Sequence, residues 1–232
     1  MITLVERVEI SVPEGAKNLS EVAHALEKAA VAAACLLEVD HDNLLKKCGC
    51  LWMLVRYQIR LNRMPVGSLR VETFLRSPKA AFSLRDFTLF DQLGEAGQAV
   101  QTWVVVDVNE RKVRPLSVCA DYLTAPTPVP ERTTKPLRFN PSADMVHLGN
   151  WTVLPEQIDD NGHLNNVAYL REAEKYVKGD YTALDVAFDR ECFVGENLTL
   201  VGSCEGDTQF ICIRKENGDL SFSARFGKER PE

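Results

Sequence analysis

Hydrophobic and polar positions follow the same succession of patterns in each half of the chain. Each half starts with a strand pattern, continues with a helical pattern and ends with several strand patterns of period two. The first helix is predicted to begin near Asn18 or Ser20, which are good N-caps, and to run through an alanine-rich segment to about Leu37. The second helix is predicted from Leu164 to about Lys178. The predicted strands cover residues 2–12, 51–61, 69–75, 82–90, 100–108, 147–154, 183–189, 197–204, 209–214 and 220–226.

This repetition predicts two domains of similar build. Residues 1–115 form the predicted N-terminal domain and residues 146–232 the C-terminal domain, while the proline-rich residues 116–145 have the composition of a linker. Residues 40–49 are polar and are predicted to be irregular. A curved antiparallel sheet wrapped around an apolar helix is a hotdog domain, so the sequence predicts an α+β protein with a tandem (double) hotdog fold.

Small polar and ionisable residues are concentrated directly before the second predicted helix. Asp159, Asn161 and His163 are spaced by two, so an extended backbone would place their side chains on one face. Backbone N–H groups at the start of a helix lack partners and carry the positive end of the dipole. We therefore expect those of Leu164 and Asn165 to stabilise a carbonyl oxygen that becomes negative during a reaction.

Two other interpretations of this polar stretch stay open at the level of the residues. Asp and Asn are preferred N-caps, so the stretch alone also fits a capped helix with a surface histidine. A metal site has less support, because one histidine with one carboxylate supplies too few ligands and no second cluster has a known spacing. The sequence thus predicts no metal and no cofactor.

Charge and composition exclude several classes of protein. The net charge of −6 argues against a general nucleic-acid binder and gives no reason to expect attachment to an anionic membrane. The longest apolar run, residues 29–37, is too short to span a bilayer. The charged N-terminal residues do not fit a signal peptide, so the seven scattered cysteines are expected as free thiols in the reducing cytoplasm.

Two motifs of the second half match a known family. The stretch that begins at Asp159 follows the pattern Asp-x-Asn-x-His-x-Asn-Asn and is followed by an aromatic residue, Tyr169, and Arg190-Glu191-Cys192 follows a strand pattern downstream. Matching positions in the first half are Trp52, Arg56, Pro65, Gly67, Thr73, Asp107, Arg111 and Arg114. The chain resembles the acyl-acyl carrier protein (acyl-ACP) thioesterases in their bacterial form, over almost its whole length.

The resemblance implies hydrolysis of an acyl-ACP thioester to a free fatty acid. It implies that His163 acts as general base and that Glu191 shares or takes over this role. Asn161 can hold the water or the carbonyl by its amide, and Asp159 can orient His163 or Asn161. The residues alone leave three rival functions open: an acyl-CoA thioesterase, a hotdog hydratase or dehydratase, and a non-catalytic acyl-binding protein.

Cys192 allows two interpretations. A cysteine together with a histidine and an asparagine could form a covalent acyl intermediate. Alternatively, Cys192 is a half-buried strand thiol beside the acid Glu191, since a free cysteine usually behaves as a small buried hydrophobe. We favour the second interpretation.

The implied substrate needs an apolar pocket and a docking surface. Candidates to line the pocket in the first half, each of which could also be ordinary core, are Trp52, Leu54, Phe74, Phe82 and Phe87. Carrier proteins are acidic, so basic segments are expected at the docking surface. The candidates are Lys46-Lys47, the segment with Arg111, Lys112 and Arg114, and the segment with Arg132, Lys135 and Arg138. The oligomeric state is open, a homodimer included.

Overall fold

A computed structural model describes residues 7–8, 16–76, 81–119 and 144–228. The helices are α1 (Leu19–Leu36), α2 (His41–Cys48) and α3 (Asn166–Glu174), with short 3₁₀ turns at Leu116–Cys119 and Pro155–Gln157. The strands of the first half are β1 (Arg7–Val8), β2 (Cys50–Leu61), β3 (Arg70–Leu75), β4 (Ser83–Asp91), β5 (Gly94–Asp107) and β6 (Val113–Arg114). Those of the second half are β7 (Val146–Thr152), β8 (Ala183–Phe188), β9 (Asn197–Glu205), β10 (Thr208–Lys215) and β11 (Leu220–Gly227).

The described strands form one antiparallel sheet in which the internal repeat is visible. The strand order is β1-β3-β4-β5-β2-β8-β11-β10-β9-β7, and β6 pairs with β5. Apart from β6, each half places its second strand beside its fifth, at the centre of the sheet. The halves join where β2 pairs with β8, with Tyr57 opposite Val186. The repeat predicted from the sequence is therefore confirmed, and it forms one continuous sheet.

Helix α1 is the central element of the core. Asn18 is its N-cap, because the Asn18 side chain accepts a hydrogen bond of 2.9 Å from the backbone N–H of Glu21. Its alanines are small enough for the sheet to approach closely, and the Tyr57 hydroxyl lies 3.3 Å from the carbonyl oxygen of Ala23. Helix α1 also contacts α3, where the backbone N–H of Ser20 donates to Glu174 Oε1 at 3.0 Å. Both helices thus share one hydrophobic core with the sheet.

Two local predictions differ from the structure. Residues 40–49, predicted to be irregular, contain helix α2, which is capped by the Asp40 side chain at one end and by left-handed Gly49 (φ +65°) at the other. The apolar face of this helix is short, with Leu44 buried and Cys48 half-buried against the same cluster, so the apolar pattern covers too few residues to predict a helix. In β2 a bulge between Leu54 and Arg56 reverses the alternation, so Leu54 and Tyr57 both reach the core.

Some predictions fall on residues that the structure does not describe. Of the predicted first strand, only Arg7–Val8 is described. Of the predicted linker, the described residues are 116–119 and 144–145. The division into domains at these points stays a prediction. Within the described ranges, none of the helices is long and apolar enough to cross a membrane.

Gly97 provides a test of the packing at the centre of the first half. A Cβ at this position would lie 2.4 Å from the Arg60 carbonyl oxygen and 2.7 Å from Leu61 Cα. Because both are backbone atoms of a paired strand, we expect Gly97→Ala to lower the free energy of unfolding by about 2–4 kcal/mol. Gly227→Ala is the matched control, since its nearest atom, Thr208 Oγ1, is 3.9 Å away. Equal urea midpoints for the two variants would contradict the packing described.

Candidate active site

The polar stretch before α3 is a tight turn. Ile158 and Leu164 form a bridge, and the backbone N–H of Asp159 donates to the His163 carbonyl oxygen at 2.8 Å. The N–H of Gly162 returns to the Asp159 carbonyl oxygen at 3.0 Å, and Gly162 has φ +80°. The prediction that Asp159, Asn161 and His163 alternate along an extended backbone is therefore wrong, because the glycine allows the chain to reverse between them.

The side chain of Asp159 holds the main chain of the turn in place. Its Oδ1 accepts the backbone N–H groups of Asn161 at 2.9 Å and of His163 at 3.1 Å. These contacts set where both residues leave the turn, so Asp159 orients them through the backbone and not through the imidazole ring.

The His163 side chain faces a carboxylate from the segment that follows β8. Its Nδ1 lies 3.5 Å from Glu191 Oε1, and each side chain is about one-fifth exposed, at 20% and 22%. The imidazole also meets the Phe193 ring edge to face, with centroids 5.3 Å apart. Because Nδ1 faces the carboxylate, Nε2 on the other side of the ring points away from Glu191. The fold thus brings together two side chains that lie 28 positions apart in the sequence.

The Asn161 side chain is exposed on the same turn. Within the described residues its amide has no hydrogen-bond partner. An amide of this kind can donate to a carbonyl oxygen and accept from a water without first breaking an internal bond.

The two amides predicted to form the oxyanion site are already engaged. The Leu164 N–H donates to the Cys192 carbonyl oxygen at 2.8 Å, and the Asn165 N–H donates to the Gln157 carbonyl oxygen at 2.9 Å. These hydrogen bonds contradict that prediction. The helix itself begins at Asn166, and Asn165 is its N-cap. At the start of α3, the backbone N–H of Asn166 has no acceptor among the described residues.

The Cys192 thiol lies in the core. Its side chain is fully buried, and Sγ is 3.0 Å from Ser221 Oγ, which in turn lies 3.2 Å from the Tyr169 hydroxyl. Burial raises the pKa of the Cys192 thiol, which is the opposite of what a nucleophilic cysteine needs. Cysteines whose side chains the structure describes are free thiols. These observations favour a structural role for Cys192.

We expect Cys192→Ala to keep kcat/KM for acyl thioester hydrolysis within about tenfold of the wild type, since a buried thiol without thiolate character is not a nucleophile. Steady-state kinetics and a mass-spectrometric search for an acylated protein give the answer. A loss as large as that of His163→Ala, together with a trapped acyl-Cys192, would make the cysteine the nucleophile.

The five residues predicted to line an acyl pocket do not form one surface. Leu54 and Phe87 belong to the main core around α1. Trp52 packs against a smaller cluster under α2, and its indole N–H donates to the Val39 carbonyl oxygen at 2.8 Å. Phe74 is half-buried on β3, and Phe82 is 48% exposed. A role of these residues in binding the acyl chain remains a prediction.

A cavity of about 430 Å³ lies in the second half, beside the end of α3. Its apolar wall includes Leu148, Tyr176, Phe210 and Ile211. His163 and Glu191 are not among its lining residues. No pattern in the sequence indicates a cavity here, since each of these residues also fits ordinary core.

Two charged residues of the first half interact with the candidate active site, and no sequence motif assigns them a role in catalysis. Arg111 forms an ion pair with Glu191 Oε2, although the sequence placed it in a docking segment. Of the other docking segments, the structure describes Lys46, which is exposed, and Lys47, which donates to the Glu38 carbonyl oxygen at 3.2 Å. Residues 132–138 lie outside the described ranges. Because the Arg111–Glu191 pair spans 80 positions, no local pattern could indicate it.

Glu27 of α1 is the second charged residue of the first half that interacts with the candidate active site. Burial, reinforced by the negative charge of Asp159 and opposed by Arg171, raises the pKa of Glu27 from 4.5 to about 7. His24 Nδ1 is 3.7 Å from Glu27 Oε2, and burial lowers the pKa of this histidine. The carboxyl group of Glu27 therefore interacts electrostatically with Asp159, in the turn that carries His163.

This coupling predicts a pH-dependent stability. Folded Glu27 keeps its proton up to about pH 7, whereas the unfolded side chain loses it near 4.5, so its contribution is full below pH 4.5 and is lost as the pH rises to 7. We expect Glu27→Gln to match the wild type at pH 4.5 and to exceed it by about 1–3 kcal/mol at pH 8. Urea unfolding at both pH values measures the difference, and the exposed Glu38→Gln is the control. A Glu27→Gln effect that does not change with pH would contradict the burial of this carboxyl.

Comparison with known proteins extends the fold assignment. An acyl-ACP thioesterase from Bacteroides thetaiotaomicron has a TM-score of 0.80 with 17% identity over 97% of both chains. The 12:0-ACP thioesterase from Umbellularia californica has a TM-score of 0.79 with 16% identity, over 100% of this chain and 96% of the other. A MaoC-like dehydratase from Phytophthora capsici is less similar, with a TM-score of 0.55 and 11% identity over 78% and 72% of the two chains. The predicted α+β hotdog fold is thereby confirmed.

The structural similarity over the full length defines the class of this protein. It is an α+β protein with the fold of acyl thioesterases. A family model for the N-terminal domain of acyl-ACP thioesterases matches residues 6–124, about half of the chain. The chain belongs to the acyl-ACP thioesterase family and is a thiolester hydrolase. A search of curated protein sequences found no match.

Proposed function

We propose that the protein hydrolyses acyl-ACP to a free fatty acid and holo-carrier protein in the cytoplasm, and so terminates fatty acid synthesis. The single observation that carries this proposal is the approach of His163 Nδ1 to Glu191 Oε1 at 3.5 Å, beside the exposed amide of Asn161. Family membership supports acyl-ACP as the substrate class. Two solved proteins of the same fold are named for this activity.

In the proposed mechanism His163 is the general base. Glu191 accepts the Nδ1–H of the ring, which leaves Nε2 to take a proton from water while the water oxygen attacks the thioester carbonyl. Glu191 also stabilises the imidazolium that forms. When the tetrahedral intermediate collapses, the C–S bond breaks and the imidazolium returns its proton to the departing thiolate. The products are a carboxylic acid and the thiol of the carrier.

The oxyanion of the intermediate needs hydrogen-bond donors, and two groups at the turn before α3 are available for this role. Asn161 is exposed and its amide is unengaged among the described residues. The Asn166 N–H stands at the positive end of α3 and also lacks an acceptor there. We assign these two groups to the oxyanion in place of Leu164 and Asn165.

The two halves then have different roles. The catalytic groups Asp159, Asn161, His163 and Glu191 come from the second half, whereas α1 with Leu54 and Phe87 forms the apolar interior of the first. We assign the acyl chain to the first half, in which Trp52, Phe74 and Phe82 are further candidates for its pocket.

The choice of carrier is tested by paired substrates. We expect kcat/KM for dodecanoyl-ACP to exceed that for dodecanoyl-CoA by roughly tenfold or more, because only the carrier protein adds an acidic surface for docking. Comparable or faster turnover of the CoA ester would identify an acyl-CoA thioesterase. Hydration of an enoyl thioester without fatty acid release would instead identify a hydratase.

A further inference from the structure

We propose that Arg111 is a positioning residue for catalysis, supplied by the first half of the chain to the site in the second. Its guanidinium holds one oxygen of the Glu191 carboxylate, so that the other oxygen faces His163. The inference rests on the proposed function, because it concerns the same pair of catalytic side chains.

The carboxylate of Glu191 is divided between two partners. Oε2 pairs with Arg111 Nη2, and Oε1 lies 3.5 Å from His163 Nδ1. The main chain is held separately, since Lys215 Nζ donates to the Glu191 carbonyl oxygen at 3.0 Å. With its backbone and one carboxylate oxygen fixed, Glu191 has little freedom to rotate away from the imidazole.

The turn that presents Arg111 is itself built for this geometry. The Asp107 carboxylate accepts the backbone N–H groups of Asn109 and Glu110, each at 3.0 Å, and pairs with Arg114 at 2.9 Å. These partners lower the pKa of Asp107, so the turn keeps its charge. Arg111 follows with φ +56°, a left-handed conformation that is uncommon for a residue other than glycine, and its N–H donates to the Asp107 carbonyl oxygen at 2.9 Å. The backbone strain is thus located at the residue that reaches Glu191.

A purely structural ion pair would have a different signature. The Arg111 side chain is 57% exposed, and exposed ion pairs contribute little to the free energy of unfolding. Among the residues that the structure describes, Arg111 and His163 contact the Glu191 carboxylate and Lys215 contacts its carbonyl oxygen, with Glu196 paired to Lys215 at 2.8 Å. Loss of Arg111 therefore leaves the fold intact but leaves a loosely held carboxylate beside the base.

The experiment compares Arg111→Gln, Arg111→Lys and the control Arg225→Gln. Arg225 is also a partly exposed arginine in an ion pair, with Asp185 at 3.3 Å, and Asp185 keeps Arg60 as a partner when Arg225 is replaced. Each variant is assayed with dodecanoyl-ACP and with dodecanoyl-N-acetylcysteamine, a thioester without a carrier. For Arg111→Gln we expect kcat to fall roughly 10- to 100-fold with both substrates, with KM changed less than about threefold. Arg111→Lys is expected to recover part of the loss, and Arg225→Gln to resemble the wild type.

The split between kcat and KM and the partial rescue by lysine are readouts that a merely structural role would not move. A loss confined to KM for dodecanoyl-ACP would mean that Arg111 only docks the carrier, and an unchanged kcat with both substrates would also overturn the proposal. Failure of the wild type to release fatty acid would count against the proposed function instead.

Discussion

His163→Ala is expected to lower kcat for acyl-ACP hydrolysis by roughly 10²- to 10⁴-fold, the usual contribution of a general base. The imidazole is the one basic side chain in the described turn, and the Glu191 carboxylate lies 3.5 Å from its Nδ1. Its ring is partly exposed and has one aromatic contact, with Phe193. The substitution should therefore change the free energy of unfolding by less than about 1 kcal/mol.

His147→Ala is the matched control for this variant. His147 is an exposed histidine of the same half, and its Nε2 lies 3.2 Å from Asn150 Oδ1. It should retain wild-type kinetics. If His163→Ala kept more than a tenth of the wild-type kcat in a folded protein, His163 would not be the base.

Glu191→Gln is expected to lower kcat by about 10²-fold or more, with little effect on KM, because the amide keeps the shape of the side chain but cannot stabilise an imidazolium. The effect should be smaller than that of His163→Ala if Glu191 assists the base, and at least as large if Glu191 is the base itself. Steady-state kinetics on one acyl-ACP substrate decides between these roles.

The control for Glu191→Gln is Glu196→Gln. Glu196 has similar exposure, at 29%, and is paired to Lys215 on the same side of the site. It removes an equal charge without touching His163. Equal losses in the two variants would show that the net charge of the region matters and the His163–Glu191 contact does not.

The sequence predicted the larger features of the fold because they depend on local periodicity. The alternation in β2 and β5 and the alanine-rich pattern of α1 were sufficient to indicate a repeated strand–helix–strands unit. Helix α2 was missed because it has only two turns: its apolar face consists of Leu44 and Cys48, and its ends depend on the caps Asp40 and Gly49.

The candidate site was predictable only in part. The motif around His163 and the acid Glu191 identified the residues, and Asn161-Gly162 is a turn signal that the structure confirms, but Asp159, Asn161 and His163 do not share one face of an extended backbone. The engagement of the Leu164 N–H depends on the Cys192 carbonyl oxygen, which is remote in sequence. Contacts of this kind arise only when α3 and the segment after β8 are packed together, so residue spacing carries no information about them.

The joining of the two halves through β2 and β8 has a consequence for function. The continuous sheet fixes the first half relative to the second, and Arg111 of the first half reaches Glu191 of the second. The proposed catalytic apparatus therefore draws on both repeats although its motif occurs in only one.

The central claim is tested most directly by incubating the purified protein with acyl-ACP thioesters of several chain lengths and measuring free fatty acid and free carrier thiol. We expect release of both products in equal amounts, with selectivity for chain length, and almost complete loss of release in His163→Ala. A folded wild-type protein that releases fatty acid from no carrier-protein or coenzyme A thioester would contradict it.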